Sequence, residues 1–255
     1  MLNKGLTAKR AIAVALILVM LLTALPLGAL ATGILPLNVI TSGQFATAGG
    51  VTGAVWTVYD DGLLEVTTGR VTHTSNTTGY WVAQSPHIQR AEFTGPITAV
   101  MLTSFFRSLT SMTEITGLAY FTLPITGNVS LQSTFQETTV LAEITGLDTW
   151  DTSNVTTLNS TFHRSGAHRI DDVSGWNTGR VTSMLGTFRQ MPNLAELDLT
   201  TWDTSSATNM HQMFFNSPSL TSVGDLSAWD VSRVGDMRGM FSTTPLLTSV
   251  GDLSG

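Results

Sequence analysis

The sequence predicts an α/β repeat solenoid, leucine-rich-repeat-like, with one short strand and one short helix per 26–27 residue unit and a small β-rich cap at the N-terminal end. Two columns of aromatic residues and one of prolines support this. Trp150, Trp176, Trp202 and Trp229 are separated by 26, 26 and 27 residues. Phe135, Phe162, Phe188, Phe214 and Phe241 keep step, with gaps of 27, 26, 26 and 27. Two columns that move together are the mark of a repeat protein. Pro192, Pro218 and Pro245 each stand four residues beyond a column Phe, where proline ends whatever helix precedes it.

The helix is expected between Trp and Phe. Apolar residues fall there at i, i+3 and i+7: Val155, Leu158, Phe162; Val181, Met184, Phe188; Ala207, Met210, Phe214; Val234, Met237, Phe241. That spacing is one face of a helix, and the Asp, Ser, Thr and Asn residues before it suit an N-cap. At about two turns it cannot persist alone, so stacking on neighbouring units must hold it. The strand is expected in the other half of each unit, at Leu141, Ile144, Leu147; Ile170, Val173; Leu194, Leu197, Leu199; and Leu220, Val223, Leu226. One strand and one helix per repeat place strands along one side and helical turns along the other.

Upstream the register loosens. Phe106 lies 29 residues before Phe135, and "GLAYFTLPITGNVSLQSTF" fits the unit only with inserted residues and without a column Trp. The pentapeptide Leu123–Gly127, "LPITG", matches a cell-wall sorting signal in letters alone. It lacks the following hydrophobic segment and basic tail, so it is expected to be a turn within a divergent unit. Residues 49–96 are expected to form the cap. "AVWTVYDDGLLEV" reads as a hairpin turning at Asp61-Gly62, and such a cap covers the open apolar end of the array.

The first 31 residues read as a secretory signal peptide. Basic Lys4, Lys9 and Arg10 precede the apolar run Ala11–Leu25 and the small-residue pattern Ala29-Leu30-Ala31. The run is shorter than the roughly 20 residues that span a bilayer. Export to the extracellular space or bacterial cell surface is expected, with residues 32–48 as a linker and 97–255 as a solenoid whose last unit is incomplete. The chain carries a net charge of −6, which loss of the basic leader would make more negative. Such a surface repels phosphate backbones and anionic lipid, so neither nucleic acid nor, after cleavage, membrane is an expected partner. The absence of cysteine excludes disulfides, thiolate metal sites and cysteine nucleophiles.

The segments "WDTSNVTTLNSTF", "WDTSSATNMHQMF" and "PSLTSVGDLSAWDVSRV" resemble the BspA-like branch of leucine-rich-repeat bacterial surface proteins. The unit of that branch resembles Leu-Asp-Leu-Ser-x-Trp-Asp-Thr-Ser-x-Val-Thr-x-Met-x-x-Met-Phe. "WTVYDDGLLEV", Trp81 and "IQRAEFTGPITA" are similar to the segment that precedes the array in such proteins. The resemblance implies a non-enzymatic extracellular or wall-attached protein, engaged in adhesion or in binding host proteins or other cells. It implies no catalytic residues and no cofactor.

The residues themselves carry little catalytic signal. There is no Gly-x-Ser-x-Gly elbow, no His-Glu-x-x-His and no phosphate-binding glycine loop. His163, His168 and His211 lack ligand spacing and are expected at exposed variable positions. Asp151, Asn177, Asp203 and Asp230, one step after each column Trp, either cap turns or line up oxygen ligands for Ca²⁺; capping is the expectation. The Trp column is either stacked core or an exposed sugar platform, with core expected. Binding is expected on the strand side, where the variable positions are Glu143, Asp148, Arg169, Asp171, Glu196, Asp198 and Asp225. This acidic set prefers a basic partner or is merely a solvated face. The expected function is an adhesin or protein-binding module. The alternatives are a carbohydrate-binding or structural wall-associated protein and, last, a hydrolase with two close carboxylates in the N-terminal region.

Overall fold

The computed structural model describes residues 37–47, 50–72, 79–99 and 101–254. The signal-peptide expectation for residues 1–31 lies outside them. The strands are β1 Val39–Gln44, β2 Val55–Tyr59, β3 Leu63–Val66, β4 Gly69–Val71, β5 Arg90–Phe93, β6 Ile97–Ala99, β7 Glu114–Thr116, β8 Phe121–Thr122, β9 Val129–Ser130, β10 Glu143–Ile144, β11 Val155–Thr157 and β12 Arg169–Ile170. Single 3₁₀ turns at Ser85–His87 and Leu118–Tyr120 are the helical elements among the described residues. No helix there is long and apolar enough to cross a membrane.

The architecture is a β-solenoid, and the predicted α/β repeat with a helix in every unit is incorrect. Between Trp and Phe the chain makes consecutive turns whose backbone bonds run to the neighbouring coil. In one coil the N–H groups of Leu158, Ser160, Phe162 and Arg164 donate to the carbonyls of Ser183, Leu185, Thr187 and Arg189 at 2.8–3.0 Å. The intervening N–H groups close local turns: Thr161 to Leu158, His163 to Ser160 and Ser165 to Phe162. The third residues of the first and last of these turns, Ser160 and Arg164, have φ of +54° and +58°, in the left-handed region that a right-handed helix excludes. The pattern recurs at Ser104 and Ser108, Ser133 and Glu137, Gly186 and Gln190, Gln212 and Asn216, and Gly239 and Thr243.

The physical reason for this outcome lies in the competition between local and lateral bonds. A two-turn helix rich in Ser, Thr and Asn is poorly nucleated, whereas the lateral bonds satisfy the same donors once per coil along the whole stack. Spacings of three and four residues place Val155, Leu158 and Phe162 inward in either geometry, and all three are buried. The helical periodicity is therefore produced by turns of the same length.

In the other half of the coils the predicted strand is two to five residues long in the early coils and shrinks to the single bridge Glu196–Ser222 in the later ones. β1-β2-β3-β5-β7 form one sheet in that order, antiparallel through β3 and parallel thereafter. The hairpin β2–β3 turns at Asp61-Gly62, where the Asp61 carboxylate accepts the N–H of Leu63 at 3.1 Å. The same wall continues through the parallel pair β10–β12 and the bridge Glu196–Ser222. A second wall begins with the parallel pair β9–β11 and runs on through bridges linking Thr157, Ser183, Asn209 and Asp236. Each regular coil thus runs strand wall, Trp corner, turn wall, Pro corner. A third sheet, β4-β6-β8, lies in the early coils. Residues 39–44, which the sequence places in a linker, form β1 against β2. Val39–Gly255 is one compact unit.

Three internal ladders hold the coils in register. The rings of Phe106, Phe135, Phe162, Phe188, Phe214 and Phe241 stack at 5.2–5.6 Å, nearly parallel. The indoles of Trp150, Trp176 and Trp202 stack at 6.3–6.4 Å. Each column Trp donates its Nε1–H to a carbonyl of the preceding coil: Leu118, Leu147, Val173 and Leu199, at 2.9–3.0 Å. Phe121, 6.0 Å from Trp150, fills the column position that lacks a Trp. In the third ladder the buried hydroxyls of Thr134, Thr161 and Thr187 each lie 2.7–3.0 Å from a carbonyl of their own coil and one of the preceding coil, which share the single hydroxyl proton. A buried hydroxyl is stable only when so partnered.

The LPITG pentapeptide forms the loop between β8 and β9. Leu123 is packed in the core, while Ile125 is 75% exposed, and Gly127 adopts φ +82°.

Candidate functional site

The strand wall carries the predicted site. Side chains alternate across a strand, so Ile144, Ile170 and Leu197 turn into the core while Glu143, Arg169 and Glu196 face outward. Arg169 lies opposite Glu143 in the β10–β12 register and pairs with it at 3.6 Å, with His168 Nε2 at the same distance from the other carboxylate oxygen. These charges offset one another at the β10–β12 pair.

Beyond them the carboxylates converge. Asp171, Asp172, Glu196 and Asp198 line one open groove of about 420 Å³, with Thr200, Ser222 and Gly224 and no basic residue. The Asp171 carboxylate accepts the N–H of Gly146 across the coil boundary. Asp198 Oδ1 accepts both the N–H and the hydroxyl of Thr200, at 3.1 and 2.7 Å. Gly224 is required beside it: its φ is +81°, and a Cβ there would stand 2.9 Å from Asp198 Oδ1 and 2.6 Å from Thr200 Cγ2. Glu196 and Asp148 are exposed and have no side-chain partner among the described residues. Asp148 and Asp225 lie outside the groove lining.

Asp172 was missed by the sequence prediction. The signal was available, since Asp172, Asp198 and Asp225 each stand four residues before a column Trp. Asp172, Asp225 and Asp252 accept the N–H of the serine two residues on, at 2.8–3.0 Å. The ladder after the Trp column does the same: Asp151, Asp203 and Asp230 take N–H groups from Ser153, Ser205 and Ser232, and Asn177 takes that of Gly179. Turn capping is therefore the role these hydrogen bonds show. The hydroxyl and N–H of the same serine hold the carboxyls of Asp151, Asp172, Asp203, Asp225 and Asp230 below the usual carboxylate range, because both donors favour the ionised form.

Other expected features resolve differently. The column Trp residues are 2–4% exposed, so they present no ring face to a sugar. His163 is half-buried and bonds Gln190 Oε1 at 2.9 Å, and burial lowers its pKa. His211 is also half-buried, 3.5 Å from Asp236; of these three, His168 alone is exposed. Among the described residues no group of three or more His, Asp or Glu side chains is placed to hold a metal ion. In the N-terminal region Glu65 and Glu92 are neighbours across β3–β5. Glu65 accepts the Tyr59 hydroxyl at 3.0 Å, and burial together with the Glu65 charge pushes the Tyr59 pKa up to about 12. That carboxylate already has a structural partner.

The family described as "Mycoplasma protein of unknown function, DUF285" matches the chain over residues 129–250, the span of the regular coils. Neither the curated proteins nor the solved structures give a match.

Proposed function

We propose that the chain is a non-catalytic, exported binding module that captures a basic polypeptide on its strand wall. The observation that carries this reading is the groove of Asp171, Asp172, Glu196 and Asp198, which holds four carboxylates and no cation. Like charges gathered on one rigid wall repel each other and create a potential that a positively charged partner relieves. The wall is also well suited to the task mechanically. Its outward residues hang on a backbone whose register is set by the Phe, Trp and Thr ladders beneath, so they can differ from coil to coil without disturbing the core.

The expectations of extracellular location and adhesion belong to this proposal and rest on the basic and apolar character of residues 1–31 and on the resemblance of the repeats. Binding of the purified chain to immobilised poly-lysine tests the reading, with a Asp148→Lys/Glu196→Lys variant alongside. These two residues cap no turn, so the variant should fold normally. Saturable binding that weakens with salt and is clearly weaker in the variant is the expected result. Equal binding by both proteins would refute the strand wall as the contact surface.

A further inference from the structure

A second groove, of about 270 Å³, lies at the Pro corner, away from the carboxylates of the strand wall. Two columns of the repeat line it. Arg164, Gln190 and Asn216 each stand two residues after a column Phe, and Thr139, Gly166, Pro192 and Pro218 each stand four after one. The residues between the columns, Thr138, Ser165, Met191 and Ser217, are buried. The chain therefore dips inward at the same place in successive coils. Because the coils are bonded in register, Glu137 N–H to His163 O, Arg164 N–H to Arg189 O and Gln190 N–H to Phe215 O, these dips join into one channel along the solenoid axis.

The two lips of the channel differ in chemistry. The first is polar. Asn216 is bonded through its main chain, N–H to Ser242 O at 2.9 Å, which leaves its side-chain amide unpartnered among the described residues. Gln190 holds His163 Nε2 through Oε1 at 2.9 Å and keeps its amide N–H donors. Arg164 reaches Glu137 only at 3.9 Å, with its side chain 56% exposed. The second lip is apolar or bare. Pro192 and Pro218 expose their rings, and Gly166 leaves its step empty, since a Cβ there would stand 2.1 Å from Thr139 O.

We propose that this channel binds a linear glycan of β-1,4-linked pyranoses, laid along the solenoid axis with one ring per coil. Period is the first argument. Neighbouring coils are about 4.8 Å apart, and an extended chain of β-1,4-linked rings advances by roughly that step per ring. An extended peptide advances about 3.3 Å per residue and a polyproline helix about 3.1 Å, so either falls out of step with the rungs within two coils. Hydrogen bonding is the second argument. A side-chain amide sets a donor beside an acceptor, and a guanidinium sets donors side by side, arrangements that match adjacent ring hydroxyls. The C–H faces of the rings cover the exposed prolines and remove their surface from water. One arginine facing Glu137 leaves the channel nearly neutral, and the net charge of −6 does not repel an uncharged ligand. This site goes beyond the strand-wall reading and stands without it.

Isothermal titration calorimetry of the full chain against cellohexaose, chitohexaose and xylohexaose tests the proposal. Maltohexaose, whose α-linked chain coils instead of extending, is the control. At least one of the three β-linked hexasaccharides should bind, with an affinity insensitive to salt, and maltohexaose should not. The tetrasaccharide of the bound series should keep most of the affinity and the disaccharide lose it, because four coils line the channel. Asn216→Gly removes the free amide and suits the φ of +53°; it should weaken binding about fivefold. Asp148→Lys/Glu196→Lys should bind the glycan like the wild type, which separates this site from the strand wall. Binding of none of the three, equal binding of maltohexaose, or an unchanged Asn216→Gly variant would overturn the proposal. Binding of polyproline that is lost in Asn216→Gly would refute the glycan in favour of a polypeptide.

Discussion

Replacing Gly186 with Ala separates the turn geometry from a helix by the sign of its effect. Gly186 sits mid-wall at φ +59°, two residues before column Phe188. A Cβ built there meets Arg189 Cβ at 3.5 Å, Arg189 Cδ at 3.6 Å and Ser160 Oγ at 3.6 Å, all ordinary contacts, so the substitution brings no clash. Only the backbone term remains. An L-residue in the left-handed region costs about 1–2 kcal/mol, while Ala stabilises by about 0.4–1 kcal/mol through the narrower unfolded ensemble. The expected result is a net loss of about 0–1.6 kcal/mol, centred near 0.8 kcal/mol. Were residues 181–188 helical, the same change would stabilise by about 1 kcal/mol. Urea denaturation followed by circular dichroism reads the difference as a shift in midpoint at unchanged slope. A variant more stable than the wild type would refute the turn wall.

Trp202→Phe tests the Trp ladder. Phe121 shows that a phenyl ring fits the column, and Val173 O would retain the N–H of Trp176, so the loss is confined to one indole hydrogen bond and part of a ring, about 1–2 kcal/mol by urea midpoint; an unchanged midpoint would show that the 2.9 Å indole contact contributes nothing. Acid sensitivity follows from the capped carboxylates. Asp151, Asp172 and Asp203 have folded pKa values below the ordinary one of about 3.9, so their contribution is present above that value and lost as pH falls through the folded pKa. Stability should dip as pH falls below about 6.5, where the unfolded chain protonates His163 more readily than the buried imidazole does, and decline further below about 4, and Asp203→Asn, which copies Asn177, should flatten its share of the lower step while keeping the turn. Stability that rises on acidification would contradict the capping assignment.

The repeat, its period and its core were legible in the sequence, because a residue that stacks on its own equivalent must recur at the coil length. Phe135, Phe162 and Phe188, and Trp150, Trp176 and Trp202, could be read as ladders for that reason, and each is buried as a ladder residue must be. The hairpin at Asp61-Gly62 and the capping Asp residues were equally legible, since turn chemistry is local. Helix or turn between Trp and Phe was not. Val181, Met184 and Phe188 face inward in either geometry, and the deciding hydrogen bonds run from one coil to the next, from Gly186 N–H to His211 O and from Phe188 N–H to Met213 O. A bond between residues 25 apart leaves no mark on a seven-residue pattern. The same holds for the charges: the sequence by itself determined which residues vary between the columns, but only the stacking of coil on coil decided that Asp171, Asp172, Glu196 and Asp198 share one groove, because a wall exists only once neighbouring coils are in register.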